Sequence, residues 1–225
     1  QSYAYEELSP AQQEQFNKVK QKLLEHRHTR IQPQRDDKIL TAWNALTIRG
    51  LSIAGLILNK AGYVNTAQKS LAFIKQNLWH QDRLWACLKD KKAYQLGFLD
   101  DYAFLLDSLL FTLQAKWSNE YFDWAKTLID ILLAHFQDKE NGGFYFTSDE
   151  HENLFQRPKT FMDTALPSGN GVIAQALNYF GHLTGNTQLL EVAEKTLKAN
   201  WQDIQNYPAS HHTLIHALEE YLNSP

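Results

Sequence analysis

The chain has 225 residues, 44% of them hydrophobic and 21% charged, and carries a net charge of −3 at neutral pH. That length can bury a sizeable core, and the composition is that of an ordinary globular protein. The charge leaves no basic excess for a nucleic-acid partner, no apolar run approaches the ~18–20 residues that cross a bilayer, and the lone Cys87 excludes an internal disulfide framework or a CxxC redox pair. One cysteine and no signal peptide fit a reducing, cytoplasmic setting. Gln1 in first position reads as a fragment or a processed form.

Helical periodicity dominates the chain. A first helix is expected from about Ser9 to Leu24, with Ser9 as its cap and Pro10 in its first turn. A second runs from Asp36 to about Lys60, its N-terminus suited to Asp36 and Asp37, with Gly62 just beyond its end. The third covers about Asn65 to Leu78, and the stretch WHQDRLWACLKDKKAYQLGF after it has room for short strands. The fourth runs from Asp100 to about Trp117 and the fifth from Asn119 to Phe136. In the long loop that follows, Gly142-Gly143 and FYFT read as a small β-hairpin. The sixth helix starts at Ser168 and ends near Gly185, and the seventh covers Thr187 to Trp201. The eighth starts after Pro208 with Ser210 as its cap and ends near Tyr221.

These helices alternate in kind. The second, fourth and sixth are apolar nearly all round, while the first, third and seventh carry one apolar stripe and one Lys/Gln/Glu face. A helix apolar on every side is covered on every side, and a striped one has a solvent face. The alternation predicts an all-α fold, a partial α/α toroid of about four helical hairpins in which an outer ring wraps an inner one, as a single domain over residues 1–225. Inner helices then all start at one end. The loops before them, RDDK, LDDY, KTFMDTALPSGN and YPASHH, converge on one polar mouth, where the helix N-termini also place partial positive charge. Aromatic residues make up 12% of the chain, which suits either wide gaps between helices or platforms beneath sugar rings.

Candidate site residues follow from that mouth. Asp36, Asp37, Asp101, Asp163 and His212 are acid/base candidates. Arg35 and Lys38 flank the first acidic pair, and Asp100 and Tyr102 flank Asp101. Trp43 and Asn44 lie early in the second helix, where Asn44 needs a polar partner in apolar surroundings. Arg157 and Lys159 are cations for an anion or a sugar hydroxyl pair. Ser168 reads as a helix cap, and Asn170 can face inward. No nucleophile elbow, metal-binding His pair or phosphate loop occurs, so no cofactor or metal is expected.

The motifs RIQPQRDDKILTAWNALTIRGLS, LDDYAFLLDSLL, GGFYFT, RPKTFMDTALPSGNGVIAQAL and YPASHHTLIHAL resemble, in that order, the spermatogenesis-associated, thioredoxin-domain-containing family. The resemblance runs from about His28 to the end. It implies a thioredoxin-like domain in full-length relatives, followed by a toroid similar to those of N-acylglucosamine 2-epimerases and six-hairpin glycosidases. This chain then corresponds to the C-terminal toroid portion. The family's site positions match Arg35, Asp36, Asp37, Lys38, Trp43, Asn44, Asp100, Asp101, Tyr102, Arg157, Lys159, Asp163, Ser168 and Asn170. Ala45 stands where the family tends to have Gly, and Thr164 and Leu166 stand where it tends to have Gly and Glu. Three functions are expected from this reading: a sugar epimerase or isomerase working by proton transfer, a glycoside hydrolase with paired carboxylates, or a non-catalytic module binding a small molecule or a thioredoxin-like partner. An incomplete ring would expose apolar flanks and favour homo-oligomers.

Overall fold

The structure, a computed structural model, describes residues 8–152 and 155–223. The chain divides between Asp37 and Lys38 into two units. The first holds helix α1 (Pro10–His28) and the extended segment after it. Ser9 caps α1 as expected, in a reciprocal box: Gln12 N–H donates to Ser9 Oγ (3.4 Å) and Ser9 N–H to Gln12 Oε1 (2.9 Å). No residue of α1 is buried, so the inner–outer alternation begins with the second helix rather than the first.

The second unit starts with β1 (Ile39–Leu40), then α2 (Thr41–Ile57), α3 (Ala61–Asn77), β2 (Trp79–His80), β3 (Arg83–Lys89) and β4 (Lys92–Leu96). Helix α2 begins at Thr41 and not at Asp36, because Ile39 and Leu40 pair with Leu88 and Cys87 of β3. Residues held in an extended ladder cannot also take helical dihedrals. Strand β3 is the hub of a small antiparallel sheet, bonded to β1, β2 and β4. Both links, Gln81-Asp82 and Asp90-Lys91, place two consecutive residues at positive φ, as tight two-residue hairpins require. The small hairpin therefore lies in the stretch that had room for strands. The segment around FYFT makes only one bridge, Gln137 to Phe144. There Gly142 and Gly143 both take φ near +75°, a left-handed turn that returns the chain to Phe136.

The remaining elements are α4 (Leu99–Ala115), α5 (Asn119–Ile131, continued by a π turn over Leu132–Phe136), α6 (Gly169–Thr184), α7 (Thr187–Ala199), α8 (Trp201–Asn206) and α9 (His212–Leu222). The expected seventh helix breaks at Asn200, giving α7 and α8. A 3-10 turn over Pro208–Ser210 takes up Ser210, so the last helix starts one residue later than expected, at His212, with His211 at its cap position.

Helices α2, α4, α6 and α9 pack side by side in that order, and α3, α5 and α7 lie outside them. This is an arc of an α/α toroid. Its core is centred on α4, where Leu99, Phe104, Leu105, Leu106 and Leu109 are sealed from water. Each such side chain contributes ~1.5–3 kcal/mol by leaving solvent. The outer helix α7 buries only the stripe Leu189, Ala193, Thr196 and Leu197. The polar contact between Ser52 and Thr112 hydroxyls (2.8 Å) is buried between α2 and α4 and satisfies both groups.

Candidate functional site

The N-termini of the four inner helices form the mouth, and two carboxylates staple them in pairs. Asp101 Oδ1 accepts from Ala42 N–H in the first turn of α2 (3.0 Å), and its Oδ2 accepts from Phe98 N–H at the cap of α4 (2.9 Å). Asp163 does the same for the other pair: Oδ1 accepts from Ser168 N–H at the cap of α6 (2.8 Å) and Oδ2 from Thr213 N–H at the start of α9 (2.9 Å). Each fills backbone donors that a helix start leaves unpaired. Burial pushes Asp101 up to about 7, against the pull of its two N–H donors.

Asp100 differs from its neighbour. It is partly buried, its carboxylate makes no hydrogen bond or ion pair among the described residues, and burial pushes it up to about 6. Its Oδ1 lies against Gly169 in the first turn of α6, where any Cβ would strike it. On the other side of α6, a Cβ on Gly171 would meet Thr213 Cγ2 at 2.8 Å. Two small residues thus let α4 and α9 close on the same helix end. His212, the first residue of α9, is exposed beside Thr213 and makes no polar contact among the described residues. Trp43, in the first turn of α2 beside the stapled Ala42, leaves 61% of its surface open.

Below the mouth, all four inner helices line a cavity of about 890 Å³. Arg49 Nε pairs with Asp107 Oδ2 (2.7 Å) and its guanidinium lies 4.4 Å from the Phe111 ring centre. Burial pushes Asp107 up to about 6, with Arg49 opposing. Across the cavity His216 Nδ1 lies 2.9 Å from Gln175 Nε2 and 3.3 Å from Glu220 Oε1. Asp107 is seven residues after Asp100, on the same stripe of α4 about 10.5 Å further along its axis, and His216 is one turn below His212 on α9. The sequence reading passed over this inner tier. Its signal was polar residues at helical spacing inside otherwise apolar helices, such as Asp107 within FLLDSLL.

The other expected residues fall elsewhere. Arg35, Asp36 and Asp37 belong to the first unit, where Arg35 Nε pairs with Asp37 Oδ1 (3.0 Å) on an exposed segment. They are not at a helix start, because α2 begins after β1. Lys38 is exposed just before β1. Asn44 donates to Leu40 O (2.8 Å), within its own helix start. Tyr102 Oη accepts from Leu84 N–H (3.0 Å) and ties α4 to β3. Arg157 donates to the carbonyls of Thr147 and His135 and stacks on Tyr145, 4.4 Å from the ring centre. Lys159 Nζ donates to Asp138 Oδ2 (2.7 Å) and Gly142 O (2.9 Å). Ser168 caps α6 as expected, accepting from Gly171 N–H (3.4 Å). Asn170 is fully buried, accepting from Phe144 N–H (2.7 Å) and donating to Phe144 O (3.0 Å) and Thr160 O (2.8 Å). Arg157, Lys159 and Asn170 therefore build the long loop. No group of three His, Cys, Asp or Glu side chains suited to a metal ion occurs among the described residues, and none of their helices is long and apolar enough to cross a membrane.

An arc of inner helices with outer helices packed behind it is the fold of the α/α-toroid epimerases and glycosidases. The cellobiose 2-epimerase of Spirochaeta thermophila superposes with a TM-score of 0.60 at 18% identity, over 72% of this chain and 43% of that one. D-mannose isomerase gives 0.58 at 18% identity, over 72% and 41%. An inactive α-1,6-mannanase variant of Salegentibacter, with two adjacent aspartates replaced by alanine and α-1,6-mannotetrose bound, gives 0.59 at 17%, over 72% and 47%. No family model matches the chain. In sequence it has homologues named spermatogenesis-associated protein 20: the human protein is 28% identical over 214 residues and the rat protein 29% over 209, covering 90% and 88% of this chain. The chain spans about a quarter of their length (27% and 26%).

Proposed function

We propose that the mouth is a carbohydrate-acting site of the epimerase or isomerase type, with Asp100 as its acid/base group. The observation that carries this reading is the Asp100 carboxylate: partly buried, without a hydrogen-bond or ion-pair partner among the described residues, near pKa 6, and in the first turn of α4 against the start of α6. A general base for neutral pH needs that poise. Asp100 takes the proton from the carbon beside the carbonyl of an open-chain sugar, and the electron pair moves onto the carbonyl oxygen as an enediolate. His212, on the other side of α6, delivers a proton to the opposite face, and both groups then re-equilibrate with water. Trp43 offers an aromatic face for the ring. Asp101 and Asp163 act as positioning residues, since both oxygens of each accept backbone N–H groups.

Two structural neighbours are a cellobiose 2-epimerase and a mannose isomerase, which supports this class of substrate. The test is proton NMR in deuterated water with a panel of free sugars. The expected result is loss of a C2 proton signal with the native chain, slowed at least ~100-fold in Asp100→Asn. No exchange from any sugar, or an unchanged Asp100→Asn rate, overturns the reading. A second reading, glycoside hydrolysis with the Asp100-Asp101 pair, is favoured by the mannanase inactivated at two adjacent aspartates. New anomeric signals from a glycoside in the same tubes would select it.

A further inference from the structure

The small sheet ends in lysines. Lys89 closes β3, Lys92 opens β4, and the two stand directly opposite each other across the Asp90-Lys91 link. On the other side of β3, the pairing of Ile39 with Leu88 brings Lys38 level with Lys89. Residues level with one another in an antiparallel ladder point to the same face. Three lysines therefore share one face across three strands, in a row roughly 10 Å long at ~4.8 Å per strand spacing. Lys91 adds a fourth at the tip.

All four are exposed. Lys89, Lys91 and Lys92 make no hydrogen bond or ion pair among the described residues, and Asp90 pairs with none of them. Like charges directly opposite in a sheet repel. A lysine on the free edge of β4 discourages pairing with another chain, but that duty falls to Lys92, because Lys89 lies in the middle strand. The row also runs against the balance of the chain: four lysines stand against one aspartate in a protein of net charge −3. The next charged group along β3 is Arg83, paired with Glu150 about 20 Å away at the strand's other end. Beside the lysines, in the next row of the same face, Tyr94 stands opposite Cys87, accepts from its thiol (2.9 Å) and keeps 38% of its surface open.

We propose that this end of the sheet is a docking surface for an acidic segment of a partner protein, a short extended run of Asp and Glu. Charge complementarity selects an anion, and the size of the row selects a short one. An extended stretch of roughly three residues spans it. A nucleic acid or a membrane presents a wider field of negative charge, which would also meet the acidic remainder of the chain. Tyr94 offers contact to an apolar or aromatic residue next to the acidic run. The ladder and the two-residue link fix the backbone beneath the lysines, so binding has little of it left to order. This surface is independent of the sugar reading of the mouth.

The test is fluorescence anisotropy of the whole chain with a labelled octaglutamate peptide. Binding is expected at about 20 mM salt and should weaken at least ~10-fold by about 200 mM. The double variant Lys89→Gln, Lys92→Gln should weaken it at least ~10-fold, with the melting temperature held or raised because a repulsion is removed. Lys91→Glu, outside the ladder, should weaken it as well. Lys69→Gln with Lys126→Gln removes the same charge from exposed positions on α3 and α5 and should leave binding unchanged. In heteronuclear NMR, the amide shifts on adding peptide should centre on residues 88–94. No binding, equal weakening in the two double variants, or shifts centred elsewhere overturns the proposal. Tighter binding of a single-stranded DNA 12-mer or of phosphatidylserine vesicles than of the peptide overturns it too.

Discussion

Asp100 and Asp101 are adjacent, and their replacement should move stability in opposite directions. Asp100 carries a carboxylate raised from 3.8 to about 6, with no partner among the described residues to offset its burial. A shift of about two units corresponds to ~3 kcal/mol of native-state destabilisation at pH 7, at ~1.4 kcal/mol per unit. Because the group is only partly buried, solvent screening reduces this to about 1–2 kcal/mol. Asp100→Asn should therefore stabilise the fold by that amount at pH 7, read as the midpoint of urea unfolding. The sign follows from the raised folded-state pKa: the cost is complete above about 6, where the group is ionised in both states, and vanishes below ~4, where it is protonated in both. The gain should fall to about half by pH 5. Asp101→Ala should instead cost about 2 kcal/mol or more, since the N–H groups of Ala42 and Phe98 both lose their acceptor. A destabilised Asp100→Asn, a gain independent of pH, or a stabilised Asp101→Ala would refute the division of labour between the two carboxylates.

Four further outcomes are expected. Turnover of any sugar substrate should rise with pH through about 6 as Asp100 ionises, and the acid limb should disappear in Asp100→Asn. Gly169→Ala places a methyl against Asp100 Oδ1, so exchange activity should drop at least ~10-fold, with the circular dichroism spectrum retained. Lys159→Met removes the cation from Asp138, whose carboxyl is pushed up by burial yet held well below the usual range by the Asn141 N–H and by Lys159. It should cost about 3 kcal/mol near pH 7, and the loss should shrink as pH falls through ~4, where Asp138 protonates in the unfolded chain. Lys91→Gly relieves a residue at φ 61° in the β3–β4 link and should stabilise by about 1 kcal/mol in thermal unfolding.

The helical layout was legible because it depends on local spacing. The all-round apolar run of α4 and the narrow stripe of α7 announce an inner and an outer helix without any tertiary knowledge. Caps were legible where the side chain bonds its own helix, as at Ser9 and Ser168. They failed where another element intervened: β1 pairs with β3 and delays α2 to Thr41, and a 3-10 turn displaces the cap from Ser210.

The candidate site shows the same division. Residue type and position brought Asp100, Asp101, Asp163 and His212 to one end of the inner helices, because alternating antiparallel helices start their inner members on one side. Which of those carboxylates is spoken for could not be read from spacing. The N–H donors to Asp101 and Asp163 lie 59 and 50 residues away, at Ala42 and Thr213. Arg157, Lys159 and Asn170 likewise look free in sequence and are consumed by carbonyls, Asp138 and the Phe144 backbone in the folded loop. The sequence by itself determined most of the helices, the inner or outer place of those from the second onward, and the end on which polar residues gather, since all of these follow from periodicity. Only the tertiary structure decided that Asp100 is left without a partner among the described residues and that Arg49, Asp107, Gln175 and His216 share a cavity, because hydrogen-bond partners and cavity walls come from helices far apart in the chain.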